Sequence, residues 1–166
     1  GSLLWAVAAQ LRTETGEEME ALTKIPTIMG GSPRGLAAAE IAVIEGRYAD
    51  AIEDVRRLLP RDGDAPTRDT LSALDVQARA LLLRGDASAA LEASTAGAEA
   101  AESLGYGSLL WRFLAVRARA LEATGETDAA RREADSARAV FRTLADRIDE
   151  PELREWFERQ PLAPAP

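Results

Sequence analysis

The 166-residue chain contains neither cysteine nor histidine. Without them a Ser-His-Asp triad, a Cys-His dyad, a His-ligated zinc and a Glu-x-x-His di-iron bundle are all excluded. There is no thiol for a disulfide framework, so a reducing cytoplasm is the default expectation. Aromatic residues are only 5% of the chain, so the apolar set is dominated by small side chains that let helices approach closely. No apolar run approaches the ~20 residues that span a bilayer, and the start lacks the basic and apolar regions of a signal peptide. No membrane association is expected. The formal net charge of −8 opposes non-specific nucleic-acid binding, which needs clustered Lys and Arg to neutralise phosphates.

What is present is a hydrophobic fraction of 46% and a charged fraction of 29%, rich in Ala and Leu. That composition favours helix over strand and argues against disorder. The length suits one domain with a substantial core. The opening Gly1-Ser2 lacks a methionine and resembles the scar of a cleaved tag, which suggests a piece excised from something longer. Yet Gly1-Ser2-Leu3-Leu4-Trp5 nearly repeats Gly107-Ser108-Leu109-Leu110-Trp111, so part of that opening reads as native repeat.

Self-similarity is the strongest signal. A glycine followed five residues later by an alanine recurs as Gly16/Ala21, Gly46/Ala51, Gly85/Ala90 and Gly125/Ala130, with glycines 30, 39 and 40 residues apart. Each glycine lies between two helical stretches, where a residue tolerant of positive φ lets one helix stop and the chain turn back. The alanine falls in the first turns of the next helix and permits close packing. Four hinges predict about four antiparallel hairpins, stacked so that each buries a face no hairpin covers alone.

The periodicity agrees. Tyr48, Ala51, Ile52, Val55, Leu58 and Leu59 form one apolar stripe, with Asp50, Glu53, Asp54, Arg56 and Arg57 opposite. Stripes also run through Leu71, Leu74, Ala78, Leu81 and Leu82; through Leu110, Phe113, Leu114, Ala118 and Leu121; and through Ala130, Ala134, Ala137, Val140, Phe141 and Leu144. Breaks fall at Met29–Pro33, Pro60–Pro66 and Gly105–Gly107. Asp149 reads as the N-cap of a last helix with Pro151 in its first turn and Glu152 placed for a capping box. The expected hairpins span roughly 3–29, 34–60, 68–105 and 108–147, and a capping helix at 150–159 carries Leu153, Trp156 and Phe157. Together these make one domain at 1–160, followed by a disordered linker stub at 161–166.

Gly46-Arg47-Tyr48-Ala49-Asp50-Ala51-Ile52 resembles the turn and second-helix start of a tetratricopeptide repeat. The other three copies match its glycine and alanine but lack the tyrosine. Ala39, Ala78 and Ala118 occupy offsets where that family has a small residue. The spacing near 40 is similar to degenerate long repeats of large bacterial signalling proteins, including LuxR-type regulators, STAND-type ATPases and some nucleotide cyclases. The segment Arg147–Arg154 looks like the end of such an array. The resemblance implies an all-α, α-solenoid fold of the tetratricopeptide type. It also implies a cytoplasmic protein-interaction module, without catalysis or cofactor, inside a larger regulatory protein. The alternative is a sensor that closes on a small ligand and signals to a fused effector.

No enzyme motif stands out. The carboxylate pairs Glu17/Glu18 and Asp62/Asp64 sit where acidic residues commonly cap helices. The segment Met29–Gly35 lacks the Gly-Lys-Ser/Thr ending of a phosphate loop, and Asp62-Gly63-Asp64 lacks the rest of a calcium loop. No metal site is expected. In stacked hairpins the first helix of each pair lines the concave face. Alignment on the glycines puts Gln10, Glu40, Arg79 and Arg119 at one inward position, with Asp75, Arg112 and Glu122 nearby. Arg79 and Arg119 would hold a carboxylate or phosphate by forked hydrogen bonds. The competing expectation is that they pair with Asp75 or Glu122 on a solvated face. The partner expected at this groove is a protein or peptide segment, or another copy of the chain. Trp5, Tyr106 and Trp111 read either as binding anchors or as packing between repeats.

Overall fold

The computed structural model describes residues 32–59 and 65–158. These form seven α-helices and no strand: α1 (Ser32–Ile44), α2 (Tyr48–Arg56), α3 (Arg68–Arg84), α4 (Ala87–Ser103), α5 (Gly107–Ala123), α6 (Thr127–Ala145) and α7 (Pro151–Glu158). The all-helical expectation therefore holds for the described residues. The first expected hairpin, with Trp5, Gln10 and Gly16, lies outside them, as do residues 60–64 and the tail at 161–166.

The turns are built alike. Gly46, Gly85, Gly105 and Gly125 have φ of 75°, 97°, 70° and 88°, a region where side-chain-bearing residues are strained. In each case the glycine N–H donates to the carbonyl three residues back, and the next N–H donates to the carbonyl five back, as in Gly85→Leu82 at 3.0 Å and Asp86→Leu81 at 2.9 Å. This closes the helix by satisfying carbonyls that would otherwise lack donors. Gly105 is the surprise, because the break at Gly105–Gly107, expected to separate hairpins, is a turn of the same construction as those within them. The alanines after the hinges do what small residues allow: Ala51, Ala90 and Ala130 are buried. Thr67 caps α3 reciprocally with Thr70, each side-chain oxygen accepting from the other's backbone N–H.

Each helix packs on its successor, and α1 also packs on α3 and α3 on α5. Residues equidistant from a hinge glycine meet across it. Arg117 reaches Glu133 about Gly125, and Gly97 abuts Phe113 about Gly105. Such symmetry is what antiparallel neighbours produce. Small residues make the core between α1, α2 and α3, namely Ala39, Ala42, Ala51, Val55, Ala73, Val76 and Ala80. Bulkier ones fill it around α5, with Leu109, Phe113, Leu114 and Leu71 clustered with Ala98, Ala101 and Ala137.

Trp111 is buried and meets Phe141 edge-on at 4.9 Å between centroids, so of the two readings it is packing between α5 and α6 rather than an exposed anchor. Tyr106 is half-buried against the same core. At the C-terminus the first helical bond of α7 runs from Arg154 N–H to the Glu150 carbonyl. The N-cap is therefore Glu150, one residue later than the expected Asp149, because Pro151 takes the first helical position. Arg154 also folds back to donate Nε and Nη2 to the Ile148 carbonyl at 3.1 and 2.7 Å, tying α7 to the turn after α6. Among the described residues no helix is long and apolar enough to cross a membrane.

Candidate functional site

Four of the seven residues expected to line the inner face form one ion network across α1, α3 and α5. Glu40 lies six residues before Gly46 and Arg79 six before Gly85, so the packing of α1 on α3 brings equal registers together. Arg79 Nη2 donates to Glu40 Oε1 at 2.5 Å, and Arg79 Nε donates to Asp75 Oδ2 at 3.2 Å from one turn earlier on its own helix. Arg112 on α5 completes the group, with Nη2 2.7 Å from Asp75 Oδ2 and 3.9 Å from Glu40 Oε1.

Two of these side chains are deep and two reach water. Asp75 and Arg79 are 2% and 12% exposed, against 26% for Glu40 and 27% for Arg112. The expectation of a solvated face fails here: Arg79 does pair with Asp75, but inside the helix packing. Burial alone would push the Glu40 carboxyl up, yet the Arg79 and Arg112 charges hold it below the usual carboxylate range. Burial likewise opposes the Arg79 charge, and the Asp75 and Glu40 carboxylates more than offset it, so its proton is held more firmly than usual. Two cations and two anions leave the group electrically neutral. Asp75 Oδ1 is buried without a hydrogen-bond partner, so the network is not internally saturated.

Arg119 does not join, contrary to the glycine alignment. It is exposed on α5 with no ion-pair partner among the described residues. On α5 the residue that meets the network is Arg112, thirteen positions before Gly125, although its partner Asp75 stands ten before Gly85, so equal registers do not meet between α3 and α5 as they do between α1 and α3. Glu122 is exposed near the hinge end of α5, and Gln10 lies outside the described residues.

Among the described residues, one ion pair that joins two helices was not expected from the sequence. Arg117 Nη2 donates to Glu133 Oε2 at 2.5 Å between α5 and α6, both side chains about three-quarters buried. Its signal was available, since both residues stand eight positions from Gly125. Among the described residues no group of three acidic side chains is arranged to hold a metal ion. No protein-family model, no curated protein and no solved structure matches this chain.

Proposed function

We propose that the chain is a tetratricopeptide-like α-solenoid that docks a protein segment on the face shared by α1, α3 and α5, as the regulatory repeat region of a larger bacterial signalling protein. The observation that carries this reading is the packing of α1 on α3 and of α3 on α5, which makes one continuous surface from three successive helix pairs. Among the described residues α2, α4 and α6 make no such contact with one another, so the two sides of the array are different surfaces. The four identically built glycine turns support a repeat architecture, in which each unit contacts its neighbours and the long inner face is the binding surface. The charged residues at that surface, Glu40, Arg79 and Arg112, supply hydrogen bonding and charge, which supports a binding role.

The test is NMR mapping with peptides selected from a random display library. Binding segments should perturb backbone amides of α1, α3 and α5 with apparent affinities in roughly the micromolar range usual for small interfaces. Perturbations confined to α2, α4 and α6 would move the site to the other face. A second reading, a small-ligand sensor, draws on the ion network, since a molecule altering it would act on three helix pairs at once. A metabolite screen by thermal melting discriminates the two, because a ligand that binds only the native state raises Tm.

A further inference from the structure

Glu40 Oε1, delivered from a third helix, accepts from Arg79 Nη2 at 2.5 Å and stands 3.9 Å from Arg112 Nη2, whose nearer partner is Asp75 Oδ2 at 2.7 Å. The two carboxylates of the network are not alike. Asp75 is 2% exposed and bonded to an arginine of its own helix, so it is part of the frame. Glu40 is a quarter exposed and comes from α1 alone, so it can leave without unwinding any helix.

We propose that Arg79 and Arg112 form a carboxylate-binding cradle in which Glu40 is a displaceable resident, and that the incoming ligand is a peptide segment with an acidic side chain flanked by apolar ones. The proposal rests on the docking reading above and names its partner's chemistry. With Glu40 withdrawn, the remaining Arg79, Arg112 and Asp75 carry one net positive charge in a partly desolvated place, where a charge-assisted bond to a carboxylate is stronger than in water.

Glu40 holds an advantage through its high effective concentration, so a lone carboxylate does not displace it. A segment must bring further contacts, and the same face supplies them. Ile44 lies one turn beyond Glu40 and Leu83 one turn beyond Arg79, the same four-residue step on each helix. Helical spacing sets each on the same side of its helix as the ion pair, and they are 54% and 48% exposed. An acidic residue in the cradle would place a neighbouring apolar side chain over these two. The glutamate gates its own site, and occupation of the cradle by a partner would break the ion pair between α1 and α3 while leaving the apolar packing of Ala39, Ala42, Ala73 and Val76 in place.

Two measurements test this. Acetate, titrated at constant ionic strength, should raise the Tm of Glu40→Ala by roughly 2–4 °C and leave the wild type unchanged. Should that variant not fold, Glu40→Gln, which keeps the volume, is titrated in its place. Equal effects on variant and wild type, or none on either, would overturn the cradle. In the second measurement an end-blocked peptide with one glutamate between two leucines should bind Glu40→Gln at least about tenfold more tightly than wild type, since the competent state is no longer masked. Equal or weaker binding by the variant would overturn displacement. Acetate stabilisation with no peptide binding to any form would keep the cradle and sink the docking reading instead.

Discussion

Arg112 and Phe113 are neighbours in sequence, yet α5 points them into opposite kinds of seam. Arg112 enters the charged seam that joins α1, α3 and α5. Phe113 is fully buried in an apolar notch where its ring lies against Gly97 of α4. The notch is held by shape, so volume matters there and charge does not. The seam is held by four charges that cancel, so removing one sign matters and a small change of size does not. One helix is thus fixed by contacts that respond to different perturbations, and the two can be broken separately.

The notch should give the largest loss. Phe113→Ala removes a fully buried ring and is expected to cost about 3–5 kcal/mol, read as a lower urea midpoint at unchanged slope. Gly97→Ala attacks the same contact from the other side. A Cβ at that position would overlap the ring, and overpacking of this kind costs about 1–3 kcal/mol. Combining Gly97→Ala with Phe113→Leu should cost less than the sum of the two, because the smaller side chain makes room. Strict additivity would show that ring and glycine are not in the contact described.

In the seam, Asp75→Ala should rank between these. Removing one partner of a buried pair costs about 3–5 kcal/mol when the other is left stranded. Here Arg79 keeps Glu40 and the partly exposed Arg112 can turn to water, so about 2–3 kcal/mol is expected in chemical denaturation. Asp75→Ala with Arg112→Met should recover part of that loss, because no arginine then stands beside an empty position. A double variant worse than Asp75→Ala alone would mean that Arg112 stabilises through contacts other than this carboxylate.

The two seams also differ in how far the sequence announces them. Glu40, Asp75, Arg79 and Arg112 were readable, because helical spacing and the glycine alignment put them on one face. The alignment erred at Arg119 because it counts residues from a hinge, and α3 and α5 do not meet in equal register, as the Asp75–Arg112 pair shows. Ala39, Ala78 and Ala118, singled out by the resemblance, are all buried, and the hinges at Gly46, Gly85 and Gly125 were legible as positions that need positive φ. Gly105 carries the same conformation but is followed five residues later by Leu110 rather than alanine, so the repeated pattern hid it. Gly97 was less visible still. A mid-helix glycine with ordinary backbone angles is explained only by the ring lying against it, and that ring comes from the next helix.

The smallest effect, and the one that separates charge from shape most cleanly, belongs to Glu40. Its folded pKa is lowered from 4.5, so the folded protein binds this proton less readily than the unfolded chain does. The stability this provides is fully present above the unfolded value and is lost as pH falls through 4.5 and then through the lower folded value. Glu40→Gln keeps the size of the side chain and removes the charge. At neutral pH it should cost about 1 kcal/mol, the modest figure expected for a pair that still touches water. The gap between wild type and variant should stay constant at neutral pH and close on acidification below 4.5. Phe113→Leu, which perturbs only the notch, should show a gap that does not change over the same range. Urea titrations of the three proteins at several pH values make the comparison. A Glu40→Gln gap as flat as that of Phe113→Leu would mean that Glu40 acts through packing and hydrogen bonding, and that the seam is no more electrostatic than the notch.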